Sequence, residues 1–265
     1  MSNNATSLCD YQKQIRRQNN SVKLWRILIL IGFFALWEAS ARLGLIDSFI
    51  TSSPSRAGQT IYQLASDGSL WHHLFTTLWE TVVGFLLGTV LGSVIAAILW
   101  WFPKLCRILE PYLVVLNALP KVALGPIIIV WIGAGTSAII TMALLISLVV
   151  TIMGVLEGFC SVPETRLQLM RVFGANRMQI FRMVVLPSNF STIISCLKIN
   201  VGMSWVGVIM GEFLVSKAGL GYLIVYGGQV FKLDLVMGAT LILCLAAAGM
   251  YALVALLEKK LCPKA

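Results

Sequence analysis

Long apolar runs alternate with short polar segments along the chain, and six runs are long enough for a helix to cross a bilayer, which takes about 20 residues. They cover 24–43 (LWRILILIGFFALWEASARL), 76–101 (TTLWETVVGFLLGTVLGSVIAAILWW), 109–132, 136–156 (TSAIITMALLISLVVTIMGVL), 189–214 and 235–257 (LVMGATLILCLAAAGMYALVALL). Within each run the apolar residues are continuous rather than alternating, so the spans are helices and not barrel strands; backbone groups facing lipid must be satisfied inside the segment. The pattern predicts an all-α membrane protein with six transmembrane helices. One membrane domain, 24–257, lies between a mobile polar tail over 1–23 and a short polar tail over 258–265. Two spans carry residues that a straight helix in lipid avoids: Glu38 and Arg42 in the first, and Pro120, Lys121 and Pro126 in the third.

Composition agrees with the pattern. Hydrophobic residues make up 58% of the chain and charged residues 12%, and the mean hydropathy of +0.87 excludes a soluble domain. The formal net charge of +9 raises nucleic-acid binding, but the distribution of the charge points elsewhere. With the N-terminus inside, fourteen lysines and arginines fall on one side and only Arg42, Arg56, Lys217 and Lys232 on the other. This is the positive-inside signature: both termini are cytoplasmic and no nucleic-acid partner is implied. The polar start, MSNNATSLCDYQKQIRRQNN, is too long and too rich in amides for the basic region of a cleaved signal peptide, so the first span is expected to be retained. The six cysteines are scattered, without a CxxC or Cys-His cluster, and imply neither disulfides nor a metal.

No nucleotide-binding GxxxxGK[ST], no GxGxxG after a strand and no HExxH occurs, and the adjacent His72 and His73 read as a cap or anchor of the second span. If the chain moves a solute against a gradient, a partner or an ion supplies the energy.

The segment between the fourth and fifth spans, 157–188 (EGFCSVPETRLQLMRVFGANRMQIFRMVVLPS), has more to say. Pro163-Glu164 starts a helix, apolar residues recur at helical spacing, and Gly174 stops it. A second amphipathic piece follows, broken by Leu186-Pro187 before the fifth span. The spacing Gly174, nine residues, Val184, one residue, Leu186-Pro187 resembles the cytoplasmic coupling motif of permease subunits of ATP-binding-cassette importers, written EAA, three residues, G, nine residues, I, one residue, LP. This chain has Gln168-Leu169-Met170 in place of Glu-Ala-Ala. The acidic contact is then missing or supplied by Glu164, with a neutral hydrogen bond at Gln168 and apolar docking by Leu169 and Met170.

The resemblance extends over about 60–257. The stretches 109–135 (LEPYLVVLNALPKVALGPIIIVWIGAG) and 210–238 (MGEFLVSKAGLGYLIVYGGQVFKLDLVMG) resemble permeases of the nitrate, sulfonate, taurine and bicarbonate group. The resemblance implies a type I importer permease fold in the bacterial cytoplasmic membrane, with a coupling helix between spans four and five. It implies as partners two ATPase subunits, a second copy of the chain, an extracytoplasmic solute-binding protein and membrane lipid. ATP and magnesium are then expected on the ATPase; this chain binds no cofactor and is not an enzyme. The residues gripped by the ATPase would be Glu164, Gln168, Leu169, Met170, Arg171, Gly174, Ala175, Asn176, Leu186 and Pro187.

Candidate path residues are fewer. Asn117 and Lys121 are one turn apart on the third span, and a lysine at depth costs roughly 2.5–3.5 kcal/mol on insertion scales, so it needs a carboxylate or an aqueous path. Glu212 is the acidic candidate. In permeases of this architecture the helices after the coupling loop line the path, which implies Asn200, Ser204 and Trp205, although Trp205 also reads as plain packing. Gly84, Gly88, Gly92 and Ala96 form a flat ridge for close helix packing. The segment 215–234 is too short and polar to span; it lies along the outer surface or dips into it, where a receptor docks or the pore mouth closes. The competing function is a self-sufficient secondary transporter or channel. Against it, the chain shows no second copy of the six-span pattern and no repeated pair of broken helices.

Overall fold

The computed structural model describes the backbone of residues 2–261 and the side chains of 18, 20–47 and 49–260. Among the described residues every regular element is helical. α1, Ser2–Arg42, runs without interruption because no proline or glycine occurs over 2–31. The stretch expected as a tail, 1–23, is thus helical from Ser2 onward and continuous with the first span, Asn20–Arg42. Then come α2 (Ser48–Thr51), capped by Asp47, and α3 (Pro54–Ser66), which starts with Ser53 accepting from Arg56 N and Pro54 in the first turn. α4, Ser69–Trp101, begins well ahead of the predicted 76.

The third span is not one helix. α5 (Pro103–Ala118) and the segment Lys121–Ile132, made of a 3-10 turn and α6 (Gly125–Ile132), meet at 87°. Pro120 explains the break: it forces Leu119 into an extended conformation (φ −62°, ψ 137°) and removes a backbone donor. The crossing expected at 109–132, broken around Lys121 by Pro120 and Pro126, is therefore a bent one, and it begins at Pro103.

The chain continues as α7 (Thr136–Cys160), α8 (Glu164–Val172), α9 (Arg177–Ile180), a π turn (Phe181–Val185), α10 (Leu186–Ser188), α11 (Phe190–Val215), α12 (Leu220–Gln229) and α13 (Leu233–Leu261). Residues 262–265 of the expected C-terminal tail lie outside the described residues. α8 to α10 sit at one end of the bundle, the loop end; α3 and α12 sit at the far end. α4 finishes at the loop end, where Trp100 meets Phe181, and α7 starts at the far end beside Glu80, so the bent pair between them crosses the bundle. That makes six crossings and puts the start of α1 and the end of α13 at the loop end.

The core is the stack of α4, α7 and α11. A Cβ on Gly84 would lie 2.7 Å from Ala143 Cβ, one on Gly92 2.6 Å from Thr151 Cβ, and Gly88 sits against Ser147; the predicted ridge packs on α7. On the neighbouring face of α7, Gly207 approaches the backbone of Ala143 and Gly211 that of Ile139. Small residues allow this contact, which gives van der Waals attraction where no hydrophobic effect drives helices together. The charges in the first span are also explained. Glu38 accepts from Arg42 Nε at 2.7 Å, from Ser55 Oγ at 3.0 Å and from Ser55 N at 3.1 Å, so it ties α1 to the start of α3. Nearby, Arg56 pairs with Asp234 of α13 at 2.8 Å. Lys198 of α11 pairs with Glu258 of α13.

Candidate functional site

At the loop end the local chemistry dictates a tight corner. Glu164 lies in the first turn of α8 and Arg171 in the last, each matching the helix dipole. Their 3.1 Å ion pair is exposed, 61% and 59%, and adds little. Gly174 has φ +76°; its N–H donates to Arg171 O at 2.9 Å, and Ala175 N donates to Met170 O at 3.0 Å. This is the Schellman stop, which satisfies the last carbonyls of α8 and requires a left-handed residue. Asn176 opens α9 at once with a capping box: Gln179 N donates to Asn176 Oδ1 (2.9 Å) and Asn176 N to Gln179 Oε1 (2.8 Å). Gly-Ala-Asn is thus a stop and a start with nothing slack between them.

Two expectations for this loop change. Leu169 is exposed as predicted, but Met170 turns half-buried into a core cluster with Leu167 and Ile180. Val172 (83% exposed) and Phe173 (77%) stand on the outer face instead. Sequence reasoning missed both, although their spacing from Leu169, three and four residues, was the available signal. Leu186-Pro187 does not break the second piece either. The helix widens into the π turn before Pro187, which relieves the clash of the ring with the preceding turn, and the chain breaks at Asn189.

The far end holds a buried polar cluster. Glu212 is 1% exposed. It accepts from Thr77 Oγ1 at 2.6 Å and from Gly221 N at 2.5 Å, while Leu220 N donates to Thr77 Oγ1 at 2.7 Å. Gly219 N donates to His73 Nδ1 at 3.0 Å, and the His73 ring stacks on Tyr222. Glu80, equally buried, lies against Glu212 and Thr136. The start of α12 is therefore fastened to α4 and α11, and His73 is an anchor, though of the outer segment more than of its own helix. Lys121 does not pair with Glu212. Its Nζ reaches Asn117 O at 3.1 Å and Asn117 Oδ1 at 3.5 Å.

Glu212→Ala leaves the Gly221 N–H buried without an acceptor, at about 1–3 kcal/mol, and leaves the Thr77 hydroxyl with only its longer bond to His73 O at 3.2 Å. The thermal unfolding midpoint in detergent is expected to fall clearly for Glu212→Ala, much less for Glu212→Gln, and not at all for Lys121→Met. An equal fall for Lys121→Met and Glu212→Ala would restore the ion pair.

Asn200, Ser204 and Trp205 are also enclosed. Asn200 Nδ2 donates to Thr151 Oγ1 (2.5 Å) and Thr89 Oγ1 (3.2 Å), joining α11 to α7 and α4. Ser204 is fully buried, and Trp205 packs with Phe85, Val201 and Val254. The open face of α11 is instead Ser195, Ile199, Gly202 and Val206, whereas Asn117 on α5 is exposed and Lys121 half-exposed. Among the described residues no group of three or more His, Cys, Asp or Glu is placed to hold a metal ion.

The protein family described as binding-protein-dependent transport system inner membrane component matches residues 88–264, well over half of the chain. The chain belongs to that family. The permease is 30% identical to the riboflavin transport system permease protein RibX of Chloroflexus aurantiacus, over 89% of this chain and 87% of that one. It is 24% identical to the taurine transport system permease protein TauC of Escherichia coli, over 90% of each. Its fold matches a bacterial ABC transporter involved in the import of the acidic polysaccharide alginate, with a TM-score of 0.65, 15% identity, and 96% of this chain and 99% of the other covered. The permease is thus a transmembrane component of an ATP-binding-cassette importer, and the resemblance read from its loop and from 109–135 and 210–238 is borne out.

Proposed function

We propose that the permease works as a pair of identical copies joined to two ATPase subunits that grip α8, and that it passes a small polar or anionic organic solute delivered by an external binding protein. The observation that carries this reading is the α8 corner. A nine-residue helix held by a Schellman stop and a capping box presents Leu169, Val172 and Phe173 to the outside, and a solvated loop has no reason to expose them. The basic loop end, with both chain ends, is then cytoplasmic, and the far end with α3 and α12 faces the binding protein. ATP and magnesium belong to the ATPase partner. Riboflavin and taurine relatives support an organic solute over an inorganic ion.

The path is assigned to the space between the two copies. α5 buries none of its residues and carries Asn117 beside the bend, and α11 offers its open face. Asn117 and Lys121 keep the path role there, while Asn200, Ser204, Trp205 and Glu212 hold the helices together.

The test is co-purification of the tagged permease from its host, followed by uptake into liposomes. An ATPase subunit is expected with the wild type, with uptake only when ATP is present. Phe173→Asp is expected to insert normally and to recover less than about a tenth of the ATPase, since a charge in a desolvated contact costs several kcal/mol. A permease that purifies alone and transports without ATP would establish the secondary-transporter reading.

A further inference from the structure

α8 meets the membrane core only through half-buried Leu167 and Met170. A cavity of about 400 Å³, lined by Trp100, Leu167, Arg171, Ala175, Arg177 and Ile180, separates it from the end of α4. A push on α8 reaches the end of α4 through a stiff connection across that gap, and the polar side chain that spans it is Arg177.

Arg177 is the first residue of α9, placed directly after the Asn176 capping box, so its position is fixed by the corner that ends α8. Its guanidinium carbon lies 5.6 Å from the centroid of the Trp100 ring and 5.3 Å from that of Trp101. Its Nη2 donates to Trp100 O at 3.3 Å. That carbonyl belongs to the last turn of α4, whose exposed carbonyls carry partial negative charge and favour a cation. The guanidinium thus holds the helix end in two ways, by cation–π attraction to two indoles and by a hydrogen bond to the backbone. One turn later Phe181 adds its ring, 5.1 Å from Trp100 and 5.5 Å from Phe159 near the end of α7. The second piece of the loop is therefore tied to the ends of both α4 and α7, the pair at the centre of the core.

We infer that Arg177 is a positioning residue that transmits displacement of α8 to the end of α4 through Trp100 and Trp101. The inference rests on the reading of α8 as the ATPase contact. Arg177 touches neither solute nor nucleotide; it makes the corner and the membrane core move together.

The experiment compares wild type, Arg177→Ala, Arg177→Met and Arg177→Lys in the complete importer in liposomes, with Gly174→Val as the control for the α8 reading. Three quantities are read: ATPase subunit recovered, ATP hydrolysed, and solute taken up per ATP. Arg177→Ala and Arg177→Met are expected to recover wild-type ATPase and hydrolyse ATP, while uptake per ATP falls by about tenfold. Arg177→Lys keeps the charge without the planar fork and is expected to recover part of the loss. Arg177→Met keeps the apolar stem, so the test stands if Arg177→Ala fails to insert. Loss of ATPase recovery in the Arg177 variants would overturn the inference, because Arg177 would then be part of the docking surface. Unchanged uptake per ATP in the Arg177 variants, with loss in Gly174→Val, would overturn the clamp and leave the α8 reading intact. Unchanged uptake in both would remove the α8 reading, and the clamp with it.

Discussion

Gly174→Val is expected to lower ATP-driven uptake by at least about tenfold while the permease still inserts and folds. The backbone at Gly174 has φ +76°, and a Cβ there meets nothing within 4 Å, so crowding is not the issue. The left-handed conformation costs an L-residue about 1–2 kcal/mol, and a β-branched one more, which shifts the corner away from its geometry by up to roughly 30-fold. The Schellman bonds to Arg171 O and Met170 O then open, and α8 loses its fixed angle to α9. Asn tolerates this region, so Gly174→Asn should retain most of the uptake. Uptake by Gly174→Val at the wild-type rate would show that the corner is not where ATP hydrolysis acts.

The second large effect lies in the membrane. A Cβ on Gly207 would stand 2.5 Å from Ala143 Cα and 3.0 Å from Ala143 N, both backbone atoms in the middle of α7. No side chain can rotate away to make room. Gly207→Val must separate α11 from α7, break the Asn200–Thr151 hydrogen bond below it and loosen the core, at a cost at or above the roughly 1–3 kcal/mol of ordinary overpacking. The expected result is little or no monodisperse permease after detergent extraction. Gly202 lies on the same helix with nothing within 4 Å of its Cβ position, and Gly202→Val should leave the chain's own fold intact. Equal recovery of the two variants, measured by size-exclusion chromatography, would mean that α7 and α11 do not pack as described.

The pair of glycines shows what a sequence can and cannot announce. Gly84, Gly88 and Gly92 repeat every four residues, so their ridge is legible from spacing alone, although its partner, α7, is not. Gly207 and Gly211 have the same spacing in the next core helix, yet Gly202 nearby has no packing role. Only the fold distinguishes them. The Leu-Pro pair is a similar case: the spacing marks it correctly as part of the loop, but that the helix widens before Pro187 instead of breaking there is seen only in the structure.

Six apolar crossings, the bend at Pro120, the charged loop end and the Gly-Ala-Asn corner all follow from the residues in order. Each of these is local: the length of an apolar run, a missing N–H, a count of lysines and arginines, a left-handed residue followed by a cap. Which way the helices face is settled only when they pack. Packing turns Asn200, Ser204 and Trp205 inward, gives Glu212 to Thr77 and Gly221 instead of Lys121, and puts Met170 inside and Phe173 outside. The physical reason is that a helix in lipid is apolar on every side, so protein-facing and lipid-facing residues carry no hydrophobic contrast. Facing is then set by backbone approach at small residues and by long-range hydrogen bonds, which exist only once the helices have met.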